Sequence, residues 1–256
     1  MKDHIKLAFE FAFRDLRERY VNTNFGQLWL IISPLITIFI YTVIFSDFMK
    51  MRMNMVESKY AYSIYLIPGL LSWNFFSVLV SRISNTFFEK AHLIKKVNIP
   101  TFVYYIATFI SEFVIYIVSM VLGVLFLIII GQHVGIEFLW MPILMLLVGI
   151  FAFFLGVIFS LFNPFFRDLK EIIPIILQLW FWMTPIIYVK ELIYHKYPFL
   201  VDFNPFYYFI EPMQTLFLYS KVLYKDIAVS FAIVAVLAVL AVWLYKKMIA
   251  EIKDVI

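Results

Sequence analysis

The sequence predicts an all-α integral membrane protein with six transmembrane helices, and two observations support this fold class. The chain is 64% hydrophobic and only 15% charged, whereas soluble domains carry about 25% charged residues. Its apolar residues also gather in long uncharged runs, and about 20 such residues are enough to cross a bilayer as a helix. A buried core alone cannot account for this composition.

The composition also excludes several kinds of chemistry. The chain has no cysteine, so disulfides and thiol catalysis are excluded. The phosphate-loop, serine-hydrolase and zinc-protease motifs are missing from the sequence. The histidines are too scattered for the spacing of a metal site; they are His4, His92, His133 and His195. We therefore predict that the chain is not an enzyme and that any work across the membrane draws on energy from another chain.

Residues 1–25 are predicted to form an amphipathic helix. Apolar side chains recur there at helical spacing, and charged side chains occupy the other faces. A helix of this kind lies in the membrane interface and does not cross it. The apolar positions are Ile5, Phe9, Ala12, Phe13, Leu16 and Tyr20.

The uncharged runs then predict the spans. They cover residues 20–46, 60–81, 97–136, 138–166, 172–189 and 227–245; the third is apolar except for Glu112 and ends near Gly131. In the fourth span Gly149 and Gly156 allow close helix contact. Residues 190–225 contain three prolines and seven charges, and their longest uncharged piece is nine residues. No apolar stretch in this segment is long enough to cross the membrane. We therefore predict that the segment forms short re-entrant helices in the outer interface.

The distribution of basic residues predicts the orientation. Six spans place both termini on one side of the membrane. The segments on that side hold 13 Lys and Arg residues, against 7 in the loops on the other side. Basic residues favour the cytoplasmic side, so both termini are predicted to be cytoplasmic. The net charge of +4 suits an anionic leaflet and needs no nucleic acid to explain it.

Two charged residues fall within the predicted spans. Arg82 lies near the end of the second span, where it either snorkels to the interface or meets a partner. Glu112 lies about a third of the way into the third span. An intramembrane carboxylate is functional by default, but a hydrogen-bonded Glu that faces the helix bundle explains it equally well. The sequence leaves these interpretations open.

Four stretches together resemble one family. They are residues 14–20 in the N-terminal helix, 26–29 with 33–35 at the start of the first span, 166–169 leading to 182–188 around the fifth span, and 204–206 before the last. In this order, and with six spans, they resemble the permease subunit of ABC-2 type ABC exporters that move O-antigen and other cell-surface polysaccharides. Many members have a basic residue shortly after Asn-Pro-Phe, where this chain has Met213 and Gln214.

The resemblance implies the assembly and the cargo. It implies a single transmembrane domain over residues 1–256 that works as a homodimer in the cell inner membrane. Two separate nucleotide-binding subunits would hydrolyse ATP, so ATP and Mg would belong to the partner and this chain would bind no cofactor. The cargo would be a lipid-linked polysaccharide moved out of the cytoplasm.

The resemblance also implies roles for the cytoplasmic segments. Residues 89–100 would form a coupling helix seated in the ATPase, the turn at 163–171 would add a smaller contact, and the N-terminal helix would brace the same interface. An ordinary basic loop is the alternative for residues 89–100. The implied coupling residues are Glu89, Lys90, His92, Lys95, Lys96, Ile99, Arg167 and Asp168, and those of the interface helix are Arg14, Asp15, Arg17 and Arg19.

The fifth span holds a cluster of large rings at mid-depth, where Trp is not expected because it prefers the interface. Tight helix packing and an aromatic wall along a conduit both explain the cluster, and we favour the wall. The resemblance implies that spans one and five enclose the conduit, and sugars can stack their C–H faces on rings. The lining candidates are Phe39, Tyr41, Phe45, Trp180 and Trp182, of which only one Trp is expected to face inward.

Two alternatives to polysaccharide export stay open from the sequence. The first keeps the family but changes the cargo to teichoic acid, a drug or a lipid. The second is a membrane-embedded glycosyl or acyl transferase, which needs acidic or histidine residues clustered at one interface. The sequence shows no such cluster.

Overall fold

The computed structural model describes residues 2–21, 23–44, 60–91, 94, 99–166, 168–190 and 194–255. Within these residues the chain is helical and contains no β-strand. Short 3-10 turns precede the second and sixth helices. The helices are α1 (Lys2–Glu18), α2 (Trp29–Thr42), α3 (Ala61–Ser84), α4 (Thr86–Glu89), α5 (Phe102–Ile129), α6 (Met141–Phe162), α7 (Leu169–Met183), α8 (Phe199–Asp202), α9 (Tyr207–Tyr219) and α10 (Tyr224–Val255).

Helix α3 lies at the centre of the bundle. It packs against α2, α5, α6, α7 and α9. Nineteen of its 24 residues are buried, as expected for a helix that is apolar on nearly every side. Helix α10 packs mainly on α6, and α1 packs on α5. The other helices therefore surround α3, and α1 and α10 lie on the outside of the bundle.

The predicted close contacts at the two glycines of α6 are confirmed. A Cβ atom at Gly156 would lie 2.9 Å from the Cβ atom of Ile83 in α3. A Cβ atom at Gly149 would lie 3.0 Å from the ring of Phe109 in α5. Small residues let helix backbones approach closely in a membrane, where dispersion contacts replace the hydrophobic effect between helices.

The helices confirm part of the predicted set of spans. Among the described residues, α3, α5, α6 with its preceding turn, and α10 are long and apolar enough to cross a membrane. Helix α5 ends at Ile129, and Gly131 follows with a φ of 76° in the left-handed region, which confirms the predicted end. Helix α2 with its preceding turn is shorter, and α7 has only 15 residues.

The fifth predicted span is wrong at its outer end. The run 172–189 predicts a helix to residue 189, but α7 ends at Met183. Thr184 has an extended ψ of 133° because the ring of the following proline disfavours a helical conformation in the residue before it. Residues 184–189 instead fold against the outer end of α3, where the Tyr65 hydroxyl donates to the carbonyl oxygen of Pro185 at 2.9 Å. This bond gives the Pro185 carbonyl oxygen the hydrogen-bond partner that a continued helix would have supplied.

The first span also begins later than residue 20. Helix α1 ends at Glu18 and α2 begins at Trp29, so the amphipathic helix is shorter than 1–25. The connection contains Thr23 and Asn24, which favour turns, and the hydroxyl of Thr23 donates to the carbonyl of Tyr20. Gly26 has a φ of 51°, a conformation that glycine adopts without a steric penalty.

The described part of the segment 190–225 contains two short helices, α8 and α9; their re-entrant position in the outer interface stays a prediction. Helix α9 packs against α3, α6 and α10, and nine of its thirteen residues are buried. Met213 and Gln214, which stand where many relatives have a basic residue, are both buried. The Gln214 side chain donates to the carbonyl oxygen of Pro185 at 3.4 Å, so α9 holds the segment that follows α7.

We predict that Gly156→Ala lowers the melting temperature of the detergent-solubilised protein. The added methyl would meet Ile83, with the α3 backbone behind it, and overpacking of this kind costs about 1–3 kcal/mol. The matched control is Gly123→Ala in α5, where the new Cβ would have ordinary contacts of 3.5 Å or more. That control should be neutral or stabilising because Ala favours helices over Gly. Equal melting temperatures for the two variants would contradict the close contact.

Candidate functional site

Four charged side chains from three helices form one cluster at the end of the bundle where α3 has its C-terminus. Asp15 and Arg19 come from α1 and the turn after it, Arg82 from α3, and Glu112 from α5. Arg82 donates two hydrogen bonds to the Asp15 carboxylate, at 2.7 and 3.0 Å, and a third to Glu112. Arg19 also donates to Glu112. We call this group the charge cluster.

The charge cluster holds two positive and two negative side chains, so it is neutral as a unit. The Glu112 side chain is only 5% exposed, and a buried carboxylate needs a charged partner to stay ionised. Burial by itself raises the pKa of Asp15, but its hydrogen bonds with Arg82 and the nearby positive charges outweigh this effect and lower it.

Next to the charge cluster, α1 packs closely on α5 through apolar side chains. Ala8 and Ala12 are fully buried, and their positions one and two turns before Asp15 put them on the same face of α1. The Phe11 ring stacks on Tyr104 with the ring centroids 5.6 Å apart. Small residues and a bidentate ion pair thus fix both the position and the rotation of α1.

The structure divides the predicted interface-helix residues into two groups. Asp15 and Arg19 point inward to the charge cluster. Arg14 and Arg17 are exposed; Arg14 forms an ion pair with Glu18 at 3.5 Å, and Arg17 lies over the Phe13 ring. Of these four residues, only Arg14 and Arg17 are accessible to a partner.

Arg82 and Glu112 are the residues whose role the sequence left open. Each meets an oppositely charged partner, so the interpretation that Arg82 snorkels alone is replaced by a paired arginine. The sequence did contain one indication of this pairing, because Arg82 and Glu112 are opposite charges at similar depths in neighbouring predicted spans. That indication did not identify Asp15 or Arg19, because the sequence cannot show which face of α1 turns towards the bundle.

The predicted coupling residues follow α3 and α6 in the chain. Glu89 and Asp168 are exposed, and Lys90 and Ile99 are half-buried. His92, Lys95, Lys96 and Arg167 lie outside the described residues. The end of α3 is joined to the end of α6 by Asn163, whose side-chain amide donates to the Ser84 carbonyl at 2.8 Å and to the Asn85 side-chain oxygen at 3.3 Å.

The two tryptophans of α7 have different environments. The Trp180 ring is half-buried among aromatic rings from α3 and α6 and from the Asn-Pro-Phe motif, and its N–H donates to the Asn204 side-chain oxygen at 2.8 Å. Asn204 also donates to Thr184 at 2.9 Å. Trp182 is 57% exposed. Two of the stretches that carry the family resemblance therefore meet around Asn204, and only one tryptophan is free of this packing.

A groove of about 550 Å³ lies between α2, α3 and α7. Its lining mixes aromatic rings with amides and hydroxyls. Of the aromatic candidates on α2, Tyr41 lines the groove, whereas Phe39 lies on another face and is 67% exposed. Phe45 lies outside the described residues. The polar lining residues are Asn74, Ser77, Ser81, Arg82 and Gln178, and the rings are Tyr41, Trp73 and Phe181.

A second cavity of about 230 Å³ lies between α2, α3 and α5, next to the charge cluster. Arg19 and Glu112 form one end of it, and Thr37 and Ser119 contribute hydroxyls. Across the part of the chain that the structure describes, no group of three His, Cys, Asp or Glu residues is placed to hold a metal ion. The polar chemistry here is that of hydrogen bonding and ion pairing.

These features define a multi-pass membrane protein with a polar groove between apolar helices. The family model of the ABC-2 type transporter matches residues 9–218, and the chain belongs to this family.

Individual relatives are also similar along most of the chain. The O-antigen export system permease protein RfbA of Klebsiella pneumoniae is 28% identical over 236 residues, which cover 92% of this chain and 89% of the relative. The protein of the same name from Myxococcus xanthus is 27% identical over 68% of this chain and 65% of its own length. The polysialic acid transport protein KpsM of Escherichia coli is 24% identical over 80% of this chain and 79% of the relative.

We predict that Arg82→Met strongly destabilises the protein, because it leaves two carboxylates with one remaining arginine. Breaking a buried ion pair costs about 3–5 kcal/mol, and the partial exposure of this pair reduces the expected loss to about 2 kcal/mol. The double variant Arg82→Met/Glu112→Gln should recover part of the loss, since it leaves one charge of each sign. The measurement is the melting temperature in detergent.

Arg17→Met is the control for this prediction, because Arg17 is an exposed cytoplasmic arginine on α1 outside the charge cluster. Surface charges of this kind contribute little to stability. If Arg82→Met and Arg17→Met melted at the same temperature, the charge cluster would have no structural role.

Proposed function

We propose that this chain is the transmembrane subunit of an ATP-driven exporter that moves lipid-linked O-antigen or a related cell-surface polysaccharide from the cytoplasm across the inner membrane. The observation that carries the proposal is the similarity to O-antigen export permeases over 92% of the chain. The polysialic acid transport protein is also named for a polysaccharide. The groove supports this cargo, because amides and hydroxyls can exchange hydrogen bonds with sugar hydroxyls while rings pack on sugar C–H faces.

The energy for export comes from separate nucleotide-binding subunits in this proposal. The sequence has no phosphate-binding loop of the G-x-x-x-x-G-K-[ST] type. ATP and Mg are accordingly assigned to the partner, and this chain acts as the permease without a cofactor of its own.

The proposal includes a homodimer, and the packing of α2 and α7 supports it. In α2 only Pro34 and Ile38 are buried, and in α7 only Ile173 and Leu177. Helix α7 packs mainly on α3. Two helices with this little burial inside the protomer are available to a second copy, and the conduit would lie between the paired copies.

In this assembly the lining of the conduit is assigned to Phe39, Tyr41 and Trp182, with Phe45 retained from the sequence. Trp182 is supported by its exposure, and Tyr41 by its position in the groove. Trp180 is assigned to the support of the wall, since its N–H is already bonded to Asn204.

Coupling is assigned to the cytoplasmic segments at 89–100 and 163–171, with α1 as a brace. The hydrogen bonds of Asn163 to Ser84 and Asn85 support a common movement of the two segments. Arg14 and Arg17 are accessible to the ATPase, whereas Asp15 and Arg19 hold α1 on the bundle. His92, Lys95, Lys96 and Arg167 keep their proposed roles from the family resemblance.

The proposed topology has six crossings, with both termini in the cytoplasm. By helical rise α2 and α7 are about 21 and 22 Å long, which is shorter than a hydrocarbon core of about 30 Å. The buried segment 184–189 extends the path of α7 towards the outer face. Helices α8 and α9 follow it as short re-entrant helices in the outer interface.

The function is tested by export in cells that lack the chromosomal gene. The chain together with its ATPase should restore O-antigen on the cell surface, and the chain alone should not. Within this assay, replacing Lys95, Lys96 and Ile99 by Ala should abolish export while ATP hydrolysis and assembly persist, because the coupling contact is lost. The measurements are surface glycan, ATPase activity and co-purification of the two subunits.

Lys246→Ala/Lys247→Ala is the control for the coupling variant. These lysines belong to the basic C-terminal part of α10 and are exposed. Export should be unaffected by their loss. Normal export by the triple variant at 95, 96 and 99 would contradict the coupling assignment, and failure of the parent chain to restore export would contradict the proposed function.

We further predict opposite phenotypes for the two tryptophans of α7. Trp180→Phe should lower the melting temperature, because the Asn204 oxygen loses the indole donor and keeps only the backbone N–H of Phe206, a loss of about 0.5–1.5 kcal/mol. Trp182→Ala should leave the melting temperature unchanged and reduce export several-fold, because it removes an exposed ring from the proposed lining. Normal export by the Trp182 variant would remove this residue from the conduit.

A further inference from the structure

Helix α3 is the most buried helix of the bundle, yet it presents a polar strip where it is accessible. The structure describes all of Ala61–Ser84, and 19 of these 24 residues are buried. The accessible residues all lie in its cytoplasmic half; they are Asn74, Ser77, Val78, Ser81 and Arg82. Four of the five are polar or charged, in a helix that is otherwise strongly apolar.

A face that contacts lipid shows the opposite pattern. The exposed residues of α10 include Val236, Val239 and Trp243, and apolar side chains of this kind match the hydrocarbon. An amide or a hydroxyl placed in hydrocarbon without a hydrogen-bond partner costs several kcal/mol, about 2–7 depending on the reference. The Ser77 hydroxyl donates to the Asn74 carbonyl at 3.1 Å, but the Asn74 amide and the Ser81 hydroxyl have no partner among the described residues. The polar strip of α3 therefore faces water or a polar ligand, and not acyl chains.

The polar strip forms one wall of the groove between α2 and α7. Asn74, Ser77 and Ser81 follow one another at intervals of three and four residues, so they share one face of α3 over about 10 Å. Gln178 lies on the α7 side of the same groove. In the part of the chain that the structure describes, the side-chain amides of Asn74 and Gln178 have no hydrogen-bond partner. They are available to a ligand in the groove.

Among the residues that the structure describes, the groove presents no free charge to attract an anion. The one charged residue in this described lining is Arg82, and its guanidinium is already bonded to Asp15 and Glu112. The groove thus combines neutral groups that donate and accept hydrogen bonds with the rings of Tyr41 and Phe181. This chemistry matches an uncharged, hydroxyl-rich chain better than a polyanion or an apolar molecule.

We propose that Asn74, Ser77 and Ser81 of α3, with Gln178 of α7, form a hydrogen-bonding track for the hydroxyl groups of an uncharged glycan in transit. This inference rests on the proposed function and adds α3 to a conduit wall that the family resemblance assigns to spans one and five. Several equivalent weak contacts along the track let a sugar chain change partners step by step, whereas one tight site would hold it in place.

Cysteine labelling tests the track directly, because the chain has no cysteine of its own. Asn74→Cys, Ser77→Cys and Ser81→Cys are made singly in the full complex with its ATPase. Inside-out membrane vesicles are treated with a charged, membrane-impermeant methanethiosulfonate reagent, which reacts with the thiolate formed in water. Vesicles come from cells that make the glycan and from cells in which glycan synthesis is blocked.

Two kinds of control accompany these variants. Val236→Cys and Val239→Cys report on the lipid-facing side of α10. Ser33→Cys reports on the second cavity, between α2, α3 and α5, where Ser33 is exposed. Because Asn74 lines both the groove and this cavity, Ser77→Cys and Ser81→Cys carry the comparison. Without glycan, the strip variants should label several-fold faster than the α10 variants. With glycan, labelling of Ser77→Cys and Ser81→Cys should slow several-fold, and labelling of Ser33→Cys should not change.

Two results would overturn the inference. Strip residues that label as slowly as the α10 controls would show that the strip is not open to water. Strip residues that label quickly but are not protected by the glycan would show that the groove does not hold the sugar chain. The surface glycan made by the parent chain is measured in parallel, and its absence would refute the proposed function independently of the labelling rates.

Discussion

The charge cluster of Asp15, Arg19, Arg82 and Glu112 is the constraint on which the rest of the structure depends. Charges at this depth are tolerated only when each has an opposite partner and the group is neutral as a unit. Arg82 binds carboxylates on two different helices, α1 and α5. A shift of α3 or of α5 alone would leave a charge unpaired, and a shift of α1 alone would break its ion pairs with both of those helices. The interface helix is therefore an integral part of the bundle, and its exposed arginines are presented from a fixed position.

Helix α3 links this constraint to both ends of the molecule. Its C-terminal half carries Arg82 and the polar strip, and its last residues accept the hydrogen bond from Asn163. Its N-terminal half holds residues 184–189 through Tyr65. The contact at Gly156 brings it close to α6 along a well-packed surface. The charge cluster, the end of α6 and the groove therefore all contact the same helix.

The sequence was sufficient for the features that depend on local chemistry. Uncharged runs predicted the long helices, the glycines of α6 predicted close contacts, and the prolines of 190–225 predicted short helices. Pro185 could have predicted that α7 ends at Met183, but the span was placed by the length of the uncharged run alone. The charge cluster could not be predicted, because it joins residues 67 and 30 positions apart and depends on the rotation of α1. The polar strip was visible as Asn74, Ser77 and Ser81, but the sequence cannot show that these are the accessible positions of a buried helix.

The unequal packing of the helices agrees with what a conduit requires. Segments that move are drawn from the less tightly packed parts of a protein, because separating them exposes little buried surface. Helices α2 and α7 bury only two residues each within the protomer, whereas α3 buries nineteen. The bond between Trp180 and Asn204 anchors α7 at its outer end, and its cytoplasmic half contacts α3 along a narrow face. A groove bordered by one rigid helix and two loosely packed ones can widen by displacement of α2 and α7 while the polar strip on α3 stays in place. A fixed polar surface opposite movable walls would keep contact with a sugar chain of variable width, which a conduit of uniformly rigid walls could not do.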